Sequence, residues 1–310
     1  MPQRQQVDQR TVALTIPSKA LGISKVCYVY VPPEATTYGQ RLPTLYLLRG
    51  HEREWVNPHE DESRGGLTAI DVYERLRRTG AIGPLILVMP GLASADNTIP
   101  GVLADFAAPE LAAGRAGLGS GRFASYFFDE LIPFIDARLP TLPIRGINGF
   151  SLGGLMAVAA VARHPELFVS VGAYDATILY AADGGRRYRR TDRVLDPPMF
   201  DPAFGLPRDL DYITAYSPIS AMMQADRNAL RALTWLIQYG PEQIEPWGSN
   251  FYRGEHLLRA MQALGISNAV PGPVIDGRHA WQHADQHLAL TLPHHWAAME
   301  RRIKAVTSAS

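Results

Sequence analysis

Cysteine is nearly absent from this 310-residue chain, which holds only Cys27. A lone thiol makes neither an intramolecular disulfide nor a thiolate cage for zinc, so neither staples the fold. Its setting, Val26-Cys27-Tyr28-Val29, reads as a small buried thiol rather than a nucleophile. An excess of one charge is missing too. Thirty Lys and Arg against 30 Asp and Glu give a formal net charge of zero, without the basic surplus that draws proteins to nucleic acid or anionic membranes. Long apolar runs are also lacking: the longest, Leu155–Ala162, falls far short of the ~20 residues that span a bilayer. The first ten residues, MPQRQQVDQR, carry no apolar stretch of signal-peptide length. The expectation is a soluble, cytoplasmic protein with no nucleic-acid or membrane partner; a homo-oligomer stays open.

What is there is an alternation of strand and helix patterns. Thr11–Pro17 and Val26–Val31 alternate with period two, as half-buried strands do. Leu45–Leu48 and Leu85–Met89 are short continuous apolar runs closed by glycine or proline, the pattern of strands covered on both faces in a parallel sheet. Ile144–Asn148, Phe168–Val171 and Leu233–Tyr239 read as further strands, and Val274–Asp276 as a last one. Helical periodicity marks Ala69–Arg78, Phe123–Leu139, Leu155–Arg163, Gly254–Leu264 and His287–Lys304. The order predicts a doubly wound, mostly parallel α/β sheet, residues 1–310 forming a single domain. Two segments, about 91–122 and 176–228, resist assignment and read as long irregular insertions near the functional end.

The chemistry-bearing motif is Gly149-Phe150-Ser151-Leu152-Gly153, a G-x-S-x-G pattern. With 27 Gly and 14 Ser, chance supplies about 0.1 such match, so the placement carries more weight than the letters. A buried strand precedes it and a helix-forming run follows. A serine on such a strand-to-helix turn is pushed clear of the backbone beside the positive end of a helix. A serine hydroxyl needs a base, and His279, in Asp276-Gly277-Arg278-His279-Ala280-Trp281, follows a predicted strand. Loops at strand C-termini are where such sheets place their chemistry.

At this point the sequence resembles the esterase D and enterochelin esterase branch of the α/β-hydrolases, related to feruloyl esterases and mycolyltransferases. Pro17-Ser-Lys-Ala-Leu-Gly22, Val29-Tyr-Val-Pro-Pro33, Leu45-Tyr-Leu-Leu-Arg-Gly50 with Trp55, Glu130-Leu-Ile-Pro-Phe-Ile-Asp136 and Gly277-Arg-His-Ala-Trp281 fall in the family's order. The resemblance implies an α/β-hydrolase fold and a serine esterase acting on a small-molecule ester through an acyl-serine intermediate, with no metal and no organic cofactor. It also implies an oxyanion hole from the backbone N–H groups of Leu152 and His51. The usual His-Gly (or Asp-Gly) is Arg49-Gly50 here, a departure that either alters the loop's hydrogen bonding or pairs with an acidic substrate.

The triad acid is the open member. Chain order places it after the strand Leu233–Tyr239. The family position three residues beyond Gly240 is Gln243, so Glu242 is the favoured acid, with Asp175, Glu255 and Glu245 as alternatives. A mycolyltransferase-like placement would fall on Leu258, one turn from Glu255. A glutamine at 243 could itself hold the imidazole in one tautomer. His279, His283 and His287, and the cluster His59–Glu62, have ligand-rich spacing, but solvated polar faces explain both. Arg186–Arg190 with Arg193 either greets an anionic ester or pairs with Asp183 and Asp192 in a solvated loop. Phe200, Phe204, Tyr212 and Tyr216 line an acyl pocket or anchor their own loop. An acyltransferase and a non-catalytic hydrolase-like binding protein stand as the rival functions.

Overall fold

A computed structural model describes residues 4–6, 11–112, 114–179, 181–182, 187–188 and 195–308. Eight strands form the main sheet: β1 (Arg4–Gln6), β2 (Thr11–Ser18), β3 (Ile23–Tyr30), β4 (Leu42–Leu48), β5 (Ile86–Pro90), β6 (Thr141–Phe150), β7 (Ser170–Tyr174) and β8 (Thr234–Gln238). Their spatial order is β1-β2-β3-β5-β4-β6-β7-β8. The first three run antiparallel, and β5, β4, β6, β7 and β8 pair in parallel. The continuous apolar runs take the parallel positions, where both faces are covered. Along β4, Tyr46 and Leu48 face one core, while Leu45 and Leu47 face the other.

Five helical elements matter for the site: α1 (Ala69–Arg78), α2, α3 (Leu152–Arg163), α4 (Phe251–Ala263) and α5 (Trp281–Thr307). Helix α1 opens on a reciprocal capping box between Thr68 and Asp71, which satisfies two end donors at once. Helix α2 is one helical stretch in three parts: Phe123–Ser125, a π-wound Tyr126–Leu131 and Ile132–Arg138. The wide turn ends just before Pro133, which has no N–H to give the ladder. Helix α3 contributes Leu155–Ala162 to the first core, and α5 gives Trp281, Leu288 and Leu292 to the second. Cys27 is fully buried in that first core, as its apolar setting predicts.

Two expectations change, and one holds. Val274–Asp276 is not a strand: beyond β8 there are only single bridges, Trp235 to Asn268 and Tyr239 to Pro273. Pro271 and Pro273 remove the donors a ladder would need there. The insertion 91–122 is irregular, with one short 3₁₀ turn at Pro109–Ala112. The later part of 176–228 is not: it winds into short helices Asp201–Phe204, Leu210–Tyr216, Pro218–Gln224 and Arg227–Ala232, two of them capped by the side chains of Asp209 and Asp226. Most of the Arg186–Arg193 segment lies outside the described residues. No helix among the described residues is long and apolar enough to cross a membrane.

Candidate active site

The site is built at the C-terminal ends of the parallel strands. Ser151 follows β6 directly and sits at φ 57°, ψ −118°, outside the regions ordinary side chains prefer. Two glycines permit this. A Cβ on Gly149 would lie 2.1 Å from Gly153 O, and one on Gly153 would lie 1.9 Å from Leu48 O. The turn therefore closes, and α3 starts against the end of β4, only because neither residue has a side chain. Ser151 N–H donates to Tyr174 O at 3.0 Å, and Ser151 O accepts from Leu155 and Thr177 N–H at 3.1 and 3.2 Å. The hydroxyl lies 3.5 Å from Thr177 Oγ1. Leu152 N–H, first in α3, has no intrahelical acceptor and points with the positive end of the helix.

Asp175 follows β7 as Ser151 follows β6, and it too has positive φ, 43°. It is completely buried. Its Oδ1 accepts from the N–H groups of Gly240 and Asn250, both at 2.9 Å. Its Oδ2 lies 2.6 Å from His279 Nδ1. Asn250 Nδ2 donates to Asp175 O at 2.8 Å, fixing the same residue from a second side. The imidazole of His279 packs on the Phe150 ring with centroids 4.9 Å apart, and His279 N–H donates to Gly248 O at 2.7 Å. Tyr174 Oη donates to Arg278 O at 2.9 Å, tying the histidine loop to β7. The His279 side chain stays 31% exposed while its carboxylate partner has no exposure at all. Part of the imidazole thus stays open to solvent.

The carboxylate at His279 is Asp175, not the favoured Glu242. Glu242 is exposed and accepts from Tyr252 Oη at 2.5 Å. Glu255 is taken by Tyr239 Oη at 2.5 Å, and Glu245 lies near Ser249, its carboxyl pushed up by burial. Gln243 is exposed. The physical reason is register: β7 and β6 end level with each other, Phe150 opposite Tyr174, so the next residue of β7 reaches the site before the loop after β8 can. Asn250, which grips Asp175 through backbone and side chain, belongs to no sequence motif and was not anticipated.

The loop after β4 also differs from expectation. His51 N–H, one of the two implied oxyanion donors, is not open: it donates to Glu54 Oε2 at 2.5 Å. Glu54 is buried, which raises its carboxyl pKa, and a buried carboxylate takes the nearest donors. His51 has its pKa lowered to about 4, first by burial and then by the cations Arg53 and Lys25, so its 3.1 Å contact from Nδ1 to Glu52 is that of a neutral ring. Arg49 stacks over Phe150 and Trp281 at 5.1 and 5.9 Å from the ring centroids.

The remaining candidates scatter. His287 is buried against Gln238 and Asn148, away from His279. No group of three or more His, Cys, Asp or Glu suited to a metal ion occurs among the described residues. Phe200, Phe204 and Tyr216 are buried anchors, and the hydroxyls of Tyr212 and Tyr216 donate to Asp105 O and Val102 O, stitching the second insertion to the first.

A serine set on a strained strand-to-helix turn, with a carboxylate–histidine pair at the neighbouring strand end, is an arrangement of the α/β-hydrolase fold. Solved structures share that fold: a ferulic acid esterase (20% identity, 93% of this chain and 98% of that one, TM-score 0.68) and an S-formylglutathione hydrolase from Agrobacterium tumefaciens (17%, 96% and 98%, 0.64). A fluorophosphonate-binding serine hydrolase from Staphylococcus aureus is similar as well (14%, 91% and 98%, 0.63). Among curated proteins nothing matches. Residues 18–289 match the family described as Putative esterase, and the chain belongs to that family. It is an enzyme of the carboxylic-ester hydrolase type.

Proposed function

We propose that the protein hydrolyses a small-molecule carboxylic ester through an acyl-serine intermediate, with Ser151, His279 and Asp175 as nucleophile, base and acid. The observation that carries this reading is the 2.6 Å contact between His279 Nδ1 and the buried Asp175 carboxylate, one strand end away from Ser151 on its elbow. With Nδ1–H donating to Asp175, the other ring nitrogen is left as the acceptor for the Ser151 proton. Ser151 Oγ then attacks the ester carbonyl. Leu152 N–H receives the developing oxyanion, and His51 N–H joins it only when its bond to Glu54 opens. The imidazolium returns its proton to the departing alkoxide, and water repeats the sequence to release the acid. Every group invoked lies at one end of one sheet, which supports a single catalytic domain.

The test uses 4-nitrophenyl acetate and butyrate. Turnover that disappears in Ser151→Ala, together with covalent labelling of the wild type alone by a fluorophosphonate in intact-mass spectra, is the expected result. Absence of any serine-dependent release or labelling would favour a non-catalytic binding protein on this scaffold instead.

A further inference from the structure

We propose that Arg49 is a specificity-determining residue that receives an anionic group, a carboxylate, carried by the ester; this rests on the esterase reading above. Arg49 is the first residue beyond β4, whose Leu48 lies opposite Gly149 in the register, so it stands beside Phe150 and the serine turn. Its guanidinium lies 5.1 Å from the centroid of Phe150, the ring whose neighbour is the His279 imidazole at 4.9 Å. The cation is therefore held at the catalytic end by stacking on aromatic faces. One edge is spoken for electrostatically. Nε is buried, lies 3.6 Å from Glu54 Oε1 and makes no hydrogen bond.

The other edge is open. Among the described residues no acceptor meets the two terminal nitrogens, and the side chain is 21% exposed. By contrast Arg64, whose guanidinium lies 4.6 Å from the Trp281 ring centroid, spends its donors on Asp285 and on the carbonyls of Glu54, Trp55 and Asn57. Both arginines lie near one tryptophan; among the described residues only the one beside the serine keeps a free fork. A planar fork of N–H donors is the shape that takes a carboxylate through two parallel bonds. Glu54 does not cancel it, because its Oε2 is engaged by His51 N–H and it faces the Nε edge.

The experiment compares esters that differ only in that charge. One pair is 4-nitrophenyl hydrogen adipate against its methyl ester, with the carboxylate on the acyl side. The other is 4-acetoxybenzoate against its methyl ester, with the carboxylate on the leaving side. In at least one pair the wild type should favour the anionic ester by about tenfold in kcat/KM, mainly through KM, with the preference shrinking in added salt. Arg49→Gln should lower that ratio about tenfold, and Arg49→Lys, which keeps the charge but not the fork, should fall between. A wild-type ratio of one or less in both pairs overturns the proposal, as does a ratio that Arg49→Gln leaves unchanged. Should Arg49→Gln not fold, the wild-type ratio and Arg49→Lys decide. Ser151→Ala, run beside them, separates the two readings: turnover that survives it defeats the esterase reading itself, whereas serine-dependent turnover without preference defeats only the role of Arg49.

Discussion

His279 and His287 stand eight residues apart and make nearly the same contact with opposite outcomes. Each sets Nδ1 against a side-chain oxygen beside the sheet: Asp175 Oδ2 at 2.6 Å for His279, Gln238 Oε1 at 2.9 Å for His287. The partners differ in charge and the rings differ in access. His287 is 2% exposed, and burial alone lowers its pKa to about 3; the neutral ring donates from one nitrogen only, and its second nitrogen lies against the Asn148 side-chain amide at 3.2 Å. His295, two turns further along α5, is likewise held near 3 by burial and lies 2.7 Å from Ser170 Oγ. His279 has a carboxylate behind it and solvent before it. In the proposed mechanism His279 carries the proton because a carboxylate backs it and a substrate can reach it; with an amide partner and no access His287 is packing.

The largest test of this contrast is Asp175→Asn, which gives His279 the kind of partner His287 has. A fall of about 10⁴-fold in kcat is expected, because the amide favours the wrong tautomer; a fall below tenfold would remove Asp175 from the mechanism. His287→Ala strips the structural histidine and leaves buried amide groups unpaired. It should lower the unfolding free energy by about 2–4 kcal/mol in urea titrations, with kcat/KM per folded molecule unchanged. Acid titration separates the two kinds of histidine further. His287 and His295 bind protons near pH 6.5 when unfolded but only near 3 when folded. Their stabilising effect is complete above pH 6.5 and is lost as pH falls from there towards 3, at about 1.4 kcal/mol per pH unit for each histidine. Denaturant midpoints measured across that range in the wild type and in His295→Leu should show a shallower acid limb in the variant. The smallest effect belongs to Glu242→Gln: an exposed carboxylate bonded to Tyr252 should leave kcat within about twofold, and a collapse of activity would return the acid to the loop after β8.

The sequence made strands β2 to β8, helix α1, Ser151 and His279 legible because each has a local signal: period, cap residues, or a motif beside a strand; β1 has no such signal, and Val274–Asp276 offered one that no strand follows. Asp175 was legible only as one alternative, since its place depends on how β6 and β7 align, which no stretch of either strand records. Glu242 attracted attention through chain order, yet the loop after β8 bends so that its side chain faces Tyr252 rather than the imidazole. Nothing in the letters reveals that His51 N–H meets Glu54, because that contact is made by a three-residue turn closing on itself. The aromatic residues at 200–216 illustrate a further limit. Composition offers both pocket and anchor, and only burial of Phe200, Phe204 and Tyr216 distinguishes them.

The bond from Ser151 N–H to Tyr174 O extends the β6–β7 ladder by one rung past the Phe150–Tyr174 pair. The spacing between the serine and the aspartate is therefore metered by the distance between neighbouring strands, about 4.8 Å. Side-chain choice in the surrounding loops has no leverage over that ruler. The insertion at 91–122 and the short helices at 201–232 lie outside the β6–β7 ladder, so changes in them leave that spacing as the sheet sets it.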